Sequence, residues 1–138
     1  MIGVPDRDVA MYSSVSLKCP VMNAKFRRLC LDVGYESYEN AHQLWMLCAR
    51  DPLFFLNTFA YLLETRDKQD WNTVDRYGTN KVIPFITRGY QDDLILEVIK
   101  YIGRQDIVIP KSRETGISWM IGGALASWDW IFHDQTHI

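Results

Sequence analysis

The chain has 138 residues, of which 48% are hydrophobic and 23% charged, the composition of a globular domain and not of a disordered segment. Fifteen Lys and Arg against seventeen Asp and Glu leave a formal charge of −2, so no global positive field draws the chain onto nucleic acid or an anionic membrane. Its apolar runs are cut by Asn57, Arg88, Lys100 and Asp129, and Asp6, Arg7 and Asp8 stand where a signal peptide needs an apolar core, so no membrane contact and a cytoplasmic location are expected. Cys19, Cys30 and Cys48 form no CxxC pair, which points to reduced and mostly buried thiols.

Residues 1–22 have no sustained period and read as an irregular lead. From Asn23, Phe26, Leu29, Cys30 and Val33 recur at helical spacing with Lys25, Arg27 and Arg28 opposite, and Gly34 is the expected stop. A second helix starts near Tyr38, carries Ala41, Leu44, Trp45, Leu47 and Cys48, and breaks at Asp51-Pro52. The same dipeptide can open a third helix, with Asp51 as cap and Pro52 in the first turn. That segment, Leu53 to Leu63, is apolar nearly all round and predicts burial on more than one side. Residues 64–81 are polar, with a Gly-Thr-Asn turn, and are the expected loop and internal boundary. The chain therefore divides into an irregular segment 1–22, a helical subdomain 23–81 and a differently organised part 82–138.

Val82 to Ile86 is a short extended approach, because Pro84 disfavours helix before it. Tyr90 to Ile102 reads as an amphipathic helix with Leu94, Ile95, Val98, Ile99 and Ile102 on one stripe, ended by Gly103. Asp106 to Pro110 is β-branched and predicts a buried parallel strand. After a polar turn, Lys111 to Gly116, residues 117–132 are again helical by composition.

The unit that carries chemistry is strand, then Lys111-Ser112-Arg113-Glu114-Thr115-Gly116-Ile117-Ser118, then helix. A phosphate-binding loop needs inward backbone N–H groups from a tight turn, a helix N-terminus facing the anion, a cation near the β- and γ-phosphates and a hydroxyl for Mg²⁺. Gly116 stands at the sixth position of GxxxxGK[ST] and Ser118 at the eighth, while Ile117 occupies the place of the usual lysine. Lys111 or Arg113, at the first and third positions, can supply the cation instead. On the pattern alone, an ordinary strand-to-helix loop with surface charges is the competing reading.

The stretch Lys111 to Trp119 resembles the deviant phosphate loop, [K/R]-S-R-x-x-G-x-S followed by Trp or Thr, of the ATPase motor domain in phage terminase large subunits. Upstream, Arg50-Asp51-Pro52-Leu53-Phe54-Phe55-Leu56-Asn57-Thr58-Phe59 is similar to the helix that precedes the motor core of that family, and Pro84-Phe85-Ile86 with Gln91 after Tyr90 looks like its adenine-recognising segment. The glutamine amide has the acceptor and donors that match the N7 and N6 edge of adenine. The resemblance spans residues 23–138.

It implies an α/β P-loop NTPase fold that begins a parallel sheet, of which this chain would hold a mostly α-helical portion with one or two short strands. It implies ATP and Mg²⁺ as cofactors. Gln91 would read adenine, Lys111, Ser112, Arg113, Glu114, Thr115, Gly116, Ile117 and Ser118 would hold the phosphates, Lys111 or Arg113 would act catalytically on the γ-phosphoryl, and Ser118 would ligate Mg²⁺. In the family the acidic Mg²⁺-binding residue at the end of a second core strand, the glutamate that activates water, the coupling motif and the nuclease domain lie further along than this chain extends. The expectation is the front portion of a packaging motor, not catalytic alone, whose complete form works on double-stranded DNA with a portal protein and a small terminase subunit and can form homo-oligomers. The phosphate-loop strand would then lack most of its sheet neighbours, and Trp119, Trp128 and Trp130 are expected to expose apolar surface.

Two other readings stay open. One is a non-catalytic interaction module or prophage gene remnant that binds a portal or small terminase subunit, and the other is a helicase-like P-loop enzyme. His133-Asp134-Gln135-Thr136-His137 has the spacing of a zinc-protease helix, but with Asp in place of the basic Glu and no third ligand it reads as a chain end. Asp129 and Asp134 read as solvated side chains.

Overall fold

A computed structural model of the protein describes residues 18–64, 81–113 and 115–133. Helices α1 (Pro20–Glu36), α2 (Tyr38–Arg50) and α3 (Pro52–Phe59) lead into an antiparallel pair, β1 (Tyr61–Glu64) and β2 (Lys81–Pro84). Helix α4 (Gly89–Tyr101) follows, then a passage without regular secondary structure. The described chain closes with one helical run made of α5 (Ile117–Trp119), a π-helical stretch (Met120–Leu125) and α6 (Ala126–His133). The fold is mostly helical. Among the described residues no helix is long and apolar enough to cross a membrane.

Local chemistry sets the helix boundaries. Pro20 sits in the first turn of α1, where its missing N–H costs nothing, so the helix starts three residues before Asn23, inside the expected irregular lead. Residues 1–17 of that lead, and residues 65–80 of the expected loop, lie outside the described residues. Gly34 does not stop α1, which runs on to Glu36. A Cβ at Gly34 would stand 3.0 Å from Leu44 Cδ1, so this glycine is where α1 and α2 approach each other. Ser37 then caps α2, its hydroxyl accepting from the Asn40 N–H at 3.1 Å.

The Asp51-Pro52 step does what its sequence predicts. Asp51 Oδ1 accepts from the N–H groups of Leu53 and Phe54 at 3.0 and 3.1 Å, and Pro52 occupies the first turn of α3. The step also strips the end of α2 of partners. Pro52 has no N–H for the Cys48 carbonyl, and the Leu53 N–H is taken up by Asp51. Helix α6 supplies the replacements: Trp128 Nε1 donates to the Cys48 carbonyl at 2.6 Å, and His133 Nε2 bonds the Ala49 carbonyl at 2.8 Å. A carbonyl only accepts, so Nε2 of His133 carries the proton.

Helix α3 is buried on several sides, with Leu53, Phe54, Leu56, Asn57 and Thr58 all inside. It ends at Phe59, short of the expected Leu63, because residues 61–64 pair with 81–84 in the register Tyr61 to Pro84 and Leu62 to Ile83. The main core joins Leu53 and Leu56 to Ile95, Leu96 and Val98 of α4 and to Met120, Leu125 and Trp128 of the last helical run. A second cluster, Cys30, Cys48 and Phe54, lies where α1, α2 and α3 meet. Burial pushes the Cys30 thiol up to about 11 and the Cys48 thiol up to about 12.

Several expectations are corrected. The parallel strand at 106–110 does not form: these residues take no regular secondary structure and pair with no other described strand, and Val108 is 90% exposed. A parallel strand is stable only between covered neighbours, and the only described sheet is the antiparallel pair. Trp128 is fully buried while Trp119 and Trp130 are exposed, and Asp129 lies inside and not in solvent. Arg27, placed on the polar face of α1 by its spacing, is 3% exposed, whereas Leu29 faces outward.

Arg27 heads a buried polar seam. Its guanidinium donates to Asn23 Oδ1 at 2.6 Å, to the Ala60 carbonyl at 2.8 Å and to the Phe85 carbonyl at 2.7 Å, and lies 4.7 Å above the Tyr61 ring centroid. Burial lowers its pKa, an effect partly offset by Tyr61. Asn23 Nδ2 donates to the Asn57 carbonyl at 2.8 Å. Asn57 in turn holds Thr87, its Oδ1 accepting the Thr87 N–H at 3.0 Å and its Nδ2 reaching the Thr87 hydroxyl at 2.8 Å. Asp92 accepts from the Thr87 hydroxyl and pairs with Lys18 at 2.8 Å. The seam thus ties α1 and α3 to the segment that launches α4.

Candidate functional site

The N-terminus of α4 and the loop 111–118 come together. Helix α4 begins after Arg88, whose extended backbone lets its N–H donate to Gln91 Oε1 at 2.9 Å, a glutamine reaching back over the first turn. The same Gln91 is 6% exposed, and its Nε2 faces the Thr115 carbonyl at 3.5 Å. The neighbouring Tyr90 donates its hydroxyl to that carbonyl at 3.1 Å. Two consecutive residues of α4 therefore converge on one peptide of the loop.

The loop itself is a tight turn into a helix. Thr115 Oγ1 donates to the Ser112 carbonyl at 3.3 Å. Gly116 follows in the left-handed region, φ 73°, which a side chain makes costly, and a Cβ there would meet Gln91 Nε2 at 3.5 Å. Its carbonyl accepts the Met120 N–H at 3.0 Å, which starts the run 117–133. The first-turn amides of such a run have no intrahelical acceptor and carry the positive end of its dipole. Trp119 anchors this turn against Phe85, ring centroids 5.0 Å apart at 70°. Phe85 also accepts from Arg27, so the loop is braced on the buried seam.

The residues singled out in the sequence are thus distributed as follows. Lys111, Ser112, Arg113, Gly116 and Ser118 are exposed, Thr115 and Ile117 half-buried, and Glu114 lies outside the described residues. Gln91 is brought to the loop, but as a buried side chain with both ends of its amide in use. Tyr90 and Arg27 join the site and its bracing without a sequence motif of their own. The one signal for Tyr90 is its place beside Gln91, and Arg27 carries none, because a lone arginine on a helix reads as solvated.

For metal binding, the described residues contain no group of three or more His, Cys, Asp or Glu. Ser118 offers one exposed hydroxyl, so Mg²⁺ would arrive with the phosphates of a nucleotide, the usual mode for this ion. His133 is engaged with Ala49, and Asp134 to His137 lie outside the described residues. Away from the loop, a cavity of about 430 Å³ opens between α1, α2 and α6, lined by apolar side chains including Cys30, Leu44, Trp45, Cys48 and Phe132. It has no charged lining residue and does not reach the loop. Comparison of the chain with known protein families, with curated proteins and with solved structures finds no match.

Proposed function

We propose that this chain is an ATP-binding fragment of a phage terminase large subunit, part of the motor that packages double-stranded DNA into procapsids. The observation that carries the reading is the meeting of Tyr90 and Gln91 with the Thr115-Gly116 turn, since the resemblance assigns those two distant segments to one nucleotide site. The left-handed Gly116 and the helix that starts at Ile117 add the turn and the amides that a phosphate requires.

In this reading the amides around Thr115 to Ser118 hold phosphates and Lys111 or Arg113 neutralises the γ-phosphoryl. ATP brings Mg²⁺, which Ser118 helps to ligate. Adenine reading by Gln91 would draw on the amide hydrogen not directed at Thr115. The fragment is not expected to turn over ATP by itself, because the acidic and glutamate residues that the reaction needs are not among those assigned here. DNA, portal protein and small terminase subunit would be partners of the complete motor.

The test is equilibrium binding of a fluorescent ATP analogue with Mg²⁺ to the chain and to a Lys111→Ala/Arg113→Ala variant, both checked for folding by circular dichroism. Saturable binding that drops tenfold or more in the variant supports the reading. A folded wild-type chain that binds nothing refutes it.

One observation favours a second reading, a non-catalytic docking module: the apolar run 106–110 pairs with no described strand and leaves Val108 outside. Capture of a portal or small terminase subunit that is unaffected by the double variant, in a chain that binds no nucleotide, would select it.

A further inference from the structure

We infer that Tyr90 and Gln91 are positioning residues that set the orientation of the Thr115-Gly116 peptide, so that the Gly116 N–H is presented to a bound triphosphate. The inference rests on the nucleotide-binding reading above and assigns a role to two residues beyond it.

In a trans peptide the C=O and N–H point in opposite directions, and no described peptide is cis. The Thr115 carbonyl points at the first turn of α4, where Tyr90 donates to it at 3.1 Å and Gln91 Nε2 stands at 3.5 Å. The N–H of the same peptide, that of Gly116, therefore points away from α4. Rotating the plane by half a turn would aim this N–H at α4 and turn the carbonyl, a negative dipole end, toward an anion. Gly116 would permit the rotation, because a glycine pays no steric penalty in either hand. The donors on Tyr90 and Gln91 are what oppose it.

These two donors are themselves held. Gln91 Oε1 accepts from the Arg88 N–H, which fixes the amide so that Nε2 faces the loop. The residues just ahead of α4 are locked by Thr87 on Asn57 and by Asp92 on Thr87. A loop oriented before its ligand arrives loses less conformational entropy on binding, and the gain appears as affinity.

The experiment measures Mg²⁺-dependent binding of ATP, GTP and inorganic triphosphate to the full chain, to Tyr90→Phe and to Gln91→Met. Tyr90→Phe removes only the hydroxyl, and Gln91→Met keeps shape while removing both amide functions. In Tyr90→Phe, loss of one orienting hydrogen bond is expected to weaken inorganic triphosphate and ATP alike, by about three- to tenfold, with the ATP to GTP ratio and the melting temperature unchanged, whereas Gln91→Met is expected to weaken triphosphate by a similar factor and ATP further, because it also removes the adenine-reading amide. Unaltered triphosphate affinity in Tyr90→Phe overturns the inference while leaving the nucleotide site standing. So does a Gln91→Met variant that loses ATP but not triphosphate, since that is the signature of base reading. If the wild-type chain binds none of the three ligands, the functional reading fails and the inference with it.

Discussion

Arg27 is buried where α1 meets the residues that follow α3 and β2, and its guanidinium holds a carbonyl from each. Arg27→Met keeps most of the apolar stem and removes every donor. The Phe85 carbonyl loses the guanidinium at 2.7 Å, while the Ala60 carbonyl loses one at 2.8 Å but keeps the Phe85 N–H at 3.0 Å. A buried acceptor left without a donor costs about 1–3 kcal/mol, and the lost charge-assisted bond to Ala60 adds about 1–2 kcal/mol. Relief from burying a charge offsets part of this, since its partners are neutral carbonyls. The balance is a loss of about 2–4 kcal/mol, a large share of the stability of a domain this size. Urea unfolding followed by circular dichroism should show a midpoint lowered by about 1–2 M with the slope unchanged. Arg27→Lys should recover only part of it, because one ammonium cannot reach both carbonyls as the planar fork does. A variant within about 0.5 kcal/mol of wild type, or more stable than it, would refute the reasoning by showing that desolvation of the charge outweighs its hydrogen bonds.

Two further outcomes follow from buried ionisable groups. Burial pushes the Asp51 carboxyl up to about 7, against the two backbone N–H bonds that favour its charged form. The folded protein therefore binds this proton more tightly than the unfolded chain. The stabilisation is fully present below about pH 4 and is lost as pH rises through 7, a fall of up to about 2–3 kcal/mol between pH 5 and pH 8. Thermal melts across that range should show the decline, and Asp51→Asn, which keeps a capping oxygen, should flatten it; an unchanged slope in the variant would assign the dependence elsewhere. The thiols give a second measurement. Cys19 is exposed, whereas burial holds Cys30 and Cys48 protonated at pH 8, so an alkylating reagent should modify one equivalent in the native protein and three after denaturation. Rapid native modification of all three would contradict the packing of α1 on α2.

Most of the helices are legible in the amino-acid order, because their signals are local. Period 3.6 marked α2 and α4, the Asp51-Pro52 dipeptide marked a stop and a start at once, and Gly103 ended α4 with its φ of 72°. The tight turn at Gly116 and its helix were legible for the same reason, and so was the burial of α3, whose apolar residues leave no polar face.

Relations between distant segments arise only on packing. The β-branched run 106–110 satisfies strand propensity yet forms no ladder, because a strand is stabilised by neighbours and none of the described segments offers one. Arg27 reads as a surface residue until α3 and β2 place two carbonyls within reach of its fork. Gln91 carries the same amide in either setting, and it is the approach of Thr115 that turns a helix-start glutamine into part of a braced loop. Periodicity records which face of an element is apolar; which polar group a buried side chain meets is fixed only when the elements pack, since that partner lies tens of residues away along the chain.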